Sequence, residues 1–206
     1  MKQHEKLISI KLDKFITRSF TGRLLVVLLV LIPLLGKANC AVNGTSYEAC
    51  FTPAENCRQK IIDTVINAKE SILVQAYYFT VLKIAEALVN AKEKGVQVKV
   101  ILDKGQISDK NVVIPYLRKN KIDVYIDYKP AIAHSKLIVI DNEVVIGGSY
   151  NYTDNAASRN AENVTIIKDK EFAKRFVTNW RNRKKHSLTY ARKIRLKKRD
   201  INNIGY

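Results

Sequence analysis

The stretch His134–Asn151, HSKLIVIDNEVVIGGSYN, decides how this chain is read. As a pattern it is H-x-K-x4-D-x6-G-S-x-N, carried by His134, Lys136, Asp141, Gly148, Ser149 and Asn151. Six residue types, each at a usage of about 5%, meet at fixed offsets by chance with a probability on the order of 10⁻⁸ per starting position. The chain has two other histidines and neither repeats the pattern. His4 is followed by Lys6, but position 11 is Lys rather than Asp, and His186 meets Leu188 where lysine is needed. The motif therefore occurs once.

The residues around the motif predict a β-hairpin. Lys136–Ile140 is rich in β-branched side chains and reads as a strand. Asp141-Asn142 reads as a tight turn, and Glu143–Gly147 as the returning strand. In a strand over 133–140, His134 and Lys136 point the same way, because side chains two apart share a face. The return leg brings Ser149 and Asn151 back beside them. An imidazole, an ammonium, a hydroxyl and a carboxamide then converge. That set suits a tetrahedral oxyanion, with charge from Lys136, hydrogen bonds from Ser149 and Asn151, and a nucleophile or base from His134. Gly147 and Gly148 let backbone approach a phosphate closely. No second His or Cys lies near enough to suggest a zinc cluster.

With these residues in view, the chain resembles the phospholipase D superfamily and its HKD signature. Asn160-Ala161-Glu162-Asn163 is similar to the N-x-E-N that follows the motif in small bacterial members. The resemblance continues upstream through Ser71–Tyr78 and Val96–Asp103, and covers roughly residues 55–180. It is to the single-copy members, which include small exported phospholipase D-type proteins and small endonucleases.

The resemblance implies a two-step phosphodiester hydrolysis through a phosphohistidine. One histidine attacks phosphorus; a second protonates the leaving alcohol and then activates water. With one motif per chain, the second histidine is His134 of another subunit in a homodimer. Lys136 and Asn151 would bind phosphate oxygens, with Ser149 assisting. Glu162 would orient the His134 ring. Asp141 belongs to the signature, but its place at the hairpin turn reads as structural support more than chemistry. No metal or other cofactor is required, since lysine and protonated histidine supply the positive charge.

The chain of 206 residues is long enough for one globular domain, and its remaining sequence reads as α/β. Helices are expected over 56–69, 81–94, 112–118 and 171–183, and strands over 72–78, 96–103, 122–126 and 162–168. Strands alternating with helices imply a mixed sheet with helices on both faces. Ahead of this, residues 1–23 carry six basic groups, and Leu24–Gly36 is apolar apart from Pro33. Thirteen residues are short for a membrane span and suit a signal-peptide core, with cleavage near 38–40. An uncleaved anchor is the alternative. Cys50 and Cys57 flank a turn-forming segment and can pair in an oxidising compartment, or remain as idle thiols.

The expected divisions are thus a signal peptide over 1–38, a catalytic domain over 39–183 and a basic tail over 184–206. The formal charge is +17, and residues 181–206 hold ten Lys/Arg against one Asp. Such a tail suits an anionic membrane surface or nucleic-acid phosphates, or is simply solvated. The expected activity is hydrolysis of phospholipids such as phosphatidylcholine. The alternative is a nonspecific, metal-independent endonuclease on DNA or RNA. A non-enzymatic basic anchoring protein would leave the intact motif unused.

Overall fold

The computed structural model describes residues 44–107 and 111–190. The expected signal peptide, Cys40 and residues 191–206 of the basic tail lie outside the described residues.

The motif hairpin lies at the heart of the fold. Strand β5 (Lys136–Ile140) is buried along its whole length, as its Lys-Leu-Ile-Val-Ile sequence demands. Asp141 and Asn142 both take positive φ, 53° and 54°, and Glu143 N–H donates to Ile140 O to close the turn. Asn and Asp tolerate that left-handed backbone better than other non-glycine residues. Strand β6 (Val144–Gly148) returns antiparallel.

Around this hairpin run β1 (Ser46–Thr52), α1 (Cys57–Ile66), β2 (Ser71–Ala76), α2 (Leu82–Glu93) and β3 (Gln97–Asp103). They are followed by α3 (Val113–Lys119) and β4 (Asp123–Asp127), and after the hairpin by α4 (Asp154–Ser158), β7 (Glu162–Lys168), α5 (Lys170–Lys185) and β8 (Leu188–Thr189). One eight-stranded sheet has the order β1-β7-β6-β5-β2-β3-β4-β8. β2, β3 and β4 are parallel, and the other pairings are antiparallel.

The two faces of the sheet carry different cores. Ile72, Val74, Ile138 and Ile140 pack with α1, α2 and α3, while Leu73, Leu137, Val139 and Val145 pack with Ala173, Val177 and Phe176 of α5. This is the period-two alternation of strand side chains sorting apolar groups between two helical layers. The fold is therefore the expected mixed α/β sheet with helices on both faces. Helix starts follow ordinary capping chemistry: Asn56 accepts from Gln59 N, and Asp169 accepts from Phe172 N.

Three differences from the sequence expectation stand out. β1 was not anticipated: only Cys50 and Thr52 of it are buried, so an edge strand leaves a weak pattern. α4 was not anticipated either; its five residues are too few to show a helical period. Third, β8 pairs with β4 through Leu188 and Thr189, so the sheet extends past the expected domain end at 183. Cys50 and Cys57 form a disulfide that ties β1 to the first turn of α1.

Candidate active site

Strand directions gather the site at one end of the sheet. β2, β3 and β4 all finish there, and β5 starts there, since Lys136 is paired with Ala76 at the end of β2. His134 lies just before β5, so only Lys136 of the expected strand pair is in the ladder. β6 ends there at Gly148, which is paired with Val164 near the start of β7. Ser149–Asn151 leave β6 and Glu162 opens β7 at the same end. Tyr152 N–H donates to Tyr78 O at 3.0 Å, which fixes the segment carrying Asn151 beside the exit of β2. The sequence-expected group of His134, Lys136, Ser149, Asn151 and Glu162 is thus assembled on one end of the sheet.

Lys136 is only 9% exposed. Its Nζ donates to His134 O at 2.9 Å and lies 3.0 Å from Nε2 and 3.1 Å from Nδ1 of the same residue. Burial pushes its pKa below the ordinary lysine value, and the Glu162 carboxylate partly opposes that shift. The Tyr77 ring closes the other side, 4.5 Å from the His134 ring and 5.1 Å from Lys136 Nζ. His134 itself is exposed, so a reacting group can reach its imidazole from solvent.

Glu162 is bound differently from expectation. Its Oε2 accepts from Ser149 Oγ at 2.6 Å and its Oε1 from Asn160 Nδ2 at 2.9 Å. Its hydrogen bonds therefore serve the neighbouring hydroxyl and amide, while its charge acts on Lys136. Asn163 closes the group: its Oδ1 accepts from Ser149 N, and its own N–H donates to Ser149 Oγ. Gly148 makes this closeness possible, at φ 137°, because a Cβ there would collide with the Asn163 carbonyl. Asn151 Oδ1 is buried without a partner in the protein.

Asp141 lies at the other end of β5. Its carboxylate accepts the N–H groups of Lys69, Glu70 and Ser71 at 2.8–2.9 Å. Five strand residues at ~3.3 Å each separate it from the imidazole end. It fastens the hairpin turn to the start of β2, which is the structural part read from its position.

Sequence reasoning missed the residues that hold the site from behind. Asp103 is 4% exposed; its carboxylate accepts from Ala133 N and Gly105 N, both at 2.7 Å. Ala133 is the residue before His134, so Asp103 fixes the approach of the imidazole. Lys104 Nζ holds the same loop through Pro130 O at 3.1 Å. Thr52 Oγ1 donates to Asn160 O and accepts from Glu162 N. The only sequence signal for these was the end of a strand facing the motif. The one His/Cys/Asp/Glu cluster of metal-ligating size among the described residues is Cys50, Glu55 and Cys57, and its two sulfurs are bonded to each other.

An ammonium, an imidazole and a hydroxyl–carboxylate pair at the open end of a mixed sheet define the class. The chain belongs to the phospholipase D-like family of phosphodiester hydrolases: the model described as cardiolipin synthase, PLD-like domain, matches residues 61–183. Within that family it is similar to a phospholipase D of Rickettsia conorii, 46% identical over 69% of this chain and 72% of that protein. It is also similar to the human mitochondrial cardiolipin hydrolase, 30% identical over 62% of this chain and 51% of that protein. Among solved structures it resembles Nuc, a phospholipase D family member from Salmonella typhimurium. That likeness has a TM-score of 0.69 and 32% identity, and covers 71% of this chain and 98% of Nuc.

Proposed function

We propose that the chain hydrolyses phospholipids such as phosphatidylcholine to phosphatidic acid and the free head group, through a phosphohistidine at His134. The observation that carries this reading is the contact of the buried Lys136 ammonium with the exposed His134 imidazole, at the end of the sheet that also carries Ser149. The similarity to proteins named phospholipase D supports the lipid as substrate.

The substrate phosphate takes the place beside Lys136, where the ammonium and Asn151 meet its oxygens and Ser149 assists. A ring nitrogen of His134 attacks phosphorus, and the bond to the head-group oxygen breaks. A second imidazole gives that oxygen its proton, then takes one from water as the water attacks phosphorus and frees His134. Among the described residues the only other histidine is His186, at the end of α5. The second imidazole is therefore His134 of another copy, in a homodimer whose two-fold axis brings the two motifs face to face. Glu162 holds the Ser149 hydroxyl in place and favours the charged form of Lys136. No step calls on a metal ion.

Residues 1–38 act as an export signal in this reading, and the Cys50–Cys57 bond agrees with an oxidising destination. No described helix is long and apolar enough to cross a membrane.

A second reading, cleavage of DNA or RNA, is favoured by the basic run that begins with Arg181, Arg183, Lys184 and Lys185. Purified protein assayed on phosphatidylcholine vesicles and on plasmid DNA, both in EDTA, separates the two. Release of choline with intact plasmid is the expected result. Plasmid cleavage with intact lipid reverses the assignment, and loss of both activities in EDTA removes the metal-free mechanism.

A further inference from the structure

Eight large apolar side chains are exposed among the described residues. Four of them, Tyr78, Leu82, Val112 and Ile132, stand on segments that follow β2, β3 and β4. Those strands are parallel, so the four share the end of the sheet that carries His134. Ile132 is 55% exposed and only two residues before His134; Val112 is 53% exposed. The segments are tied together: Asn111 Nδ2 donates to Phe79 O at 3.4 Å, and Ala133 N to the Asp103 carboxylate. Lys83 and Lys129 are exposed along the chain from Leu82 and Ile132. Among the described residues, the acids that close β3 and β4, Asp103 and Asp127, are buried with their oxygens bonded.

We propose that the part of this end left open beside the shared cleft of the dimer docks on a phospholipid bilayer. Ile132 and Val112 enter the boundary between glycerol and acyl chains, while Lys83 and Lys129 meet lipid phosphates. The proposal rests on the phospholipid reading above and names the surface that delivers the site to it. The scissile P–O bond of a membrane lipid stays in the head-group layer while its chains stay in hydrocarbon. An imidazole that attacks it must come flush with that layer, so side chains beside the imidazole meet apolar surface. Burying exposed Ile and Val is then favourable. A nucleic-acid backbone offers these side chains nothing comparable, since its phosphates are met by cations and polar groups.

The test uses the full chain and its fluorescence. The one tryptophan, Trp180, is 2% exposed, with its indole N–H bonded to Val74 O, so it supplies a constant background. Ile132→Trp places a reporter beside the site. Ile66→Trp places one at the C-terminal end of α1, on a side chain that is also exposed, at 41%. Both are mixed with phosphatidylcholine vesicles whose acyl chains carry bromine, a contact quencher. Emission from position 132 should be quenched and emission from position 66 should not.

In a companion measurement, Ile132→Ser combined with Val112→Ser should slow vesicle hydrolysis about tenfold or more. It should leave hydrolysis of a small soluble phosphodiester unchanged. Equal or absent quenching at the two positions overturns the proposal. So does a tryptophan at 132 that is shielded before lipid is added and indifferent to bromine, which assigns the patch to a second copy of the chain. Quenching at 132 in a protein that cleaves no phosphatidylcholine leaves the docking surface standing and removes the substrate reading instead.

Discussion

Lys136 faces opposing demands. The proposed catalysis needs its ammonium charged, yet burial holds its pKa below the ordinary lysine value of 10.5. Deprotonation of Lys136 should therefore remove activity already below pH 10.5. Between the depressed folded value and 10.5, the unfolded chain binds the extra proton. This group's contribution to stability thus rises with pH across that window and is lost as pH falls through the folded value. Rate and contribution to stability should move in opposite directions there, which a kcat profile beside urea midpoints will show.

His134→Ala should lower turnover by about 10³-fold or more without unfolding the chain; a variant keeping a tenth of normal activity would end the phosphohistidine mechanism. Gly148→Ala should cost about 2 kcal/mol or more, since the added Cβ meets the Asn163 carbonyl at φ 137°. At this scale the motif residues were readable because their types and offsets are rare together. Asp103 was not, because an aspartate after a run of Val and Ile looks like any strand end. Its role exists only once β3 stands beside the loop before β5. Of the partners of Glu162, Ser149 was unreadable for the same reason, since it reaches the carboxylate only through the pairing of β6 with β7, whereas Asn160 stands two residues away in the sequence.

Among the elements, the hairpin shows how fold and chemistry divide. Its Asp141 serves the turn end, where one carboxylate holds three backbone N–H groups. Asp141→Ala should cost about 2–3 kcal/mol in urea unfolding, with kcat per folded molecule unchanged. A large fall in kcat would instead give this residue a part in the chemistry. α5 is fastened at its last turn by Arg183, whose Nε and Nη2 lie 2.6 and 2.7 Å from the Asp127 carboxylate, which is fully buried. Arg183→Met leaves that carboxylate unpaired and should cost about 3 kcal/mol. Long helices and central strands announced themselves through period and apolar runs. β1 and β8 did not, because edge strands bury few side chains. A truncation meant to test the basic run should accordingly start after Tyr190, since one starting at 184 removes β8 from the sheet.

For the whole molecule, the proposed shared site makes activity a property of pairs. Mixing equal amounts of wild type and His134→Ala, with random exchange, should halve the activity per wild-type subunit. A fully active monomer in sedimentation at assay concentration would end that model. The paired imidazoles work in opposite protonation states, so the rate should also be bell-shaped in pH. The disulfide acts at this scale as well. Cys50 and Cys57 bracket Thr52, and the Thr52 hydroxyl holds the backbone of Asn160 and Glu162. Opening so short a loop should remove about 2 kcal/mol of stability, and the slack falls where β1 braces the site. A chain kept among reducing thiols lacks that brace; the same chain among oxidants has it. In the proposed exported chain the bond would give the molecule a sense of place, bracing the proposed catalytic end only once oxidising surroundings are reached.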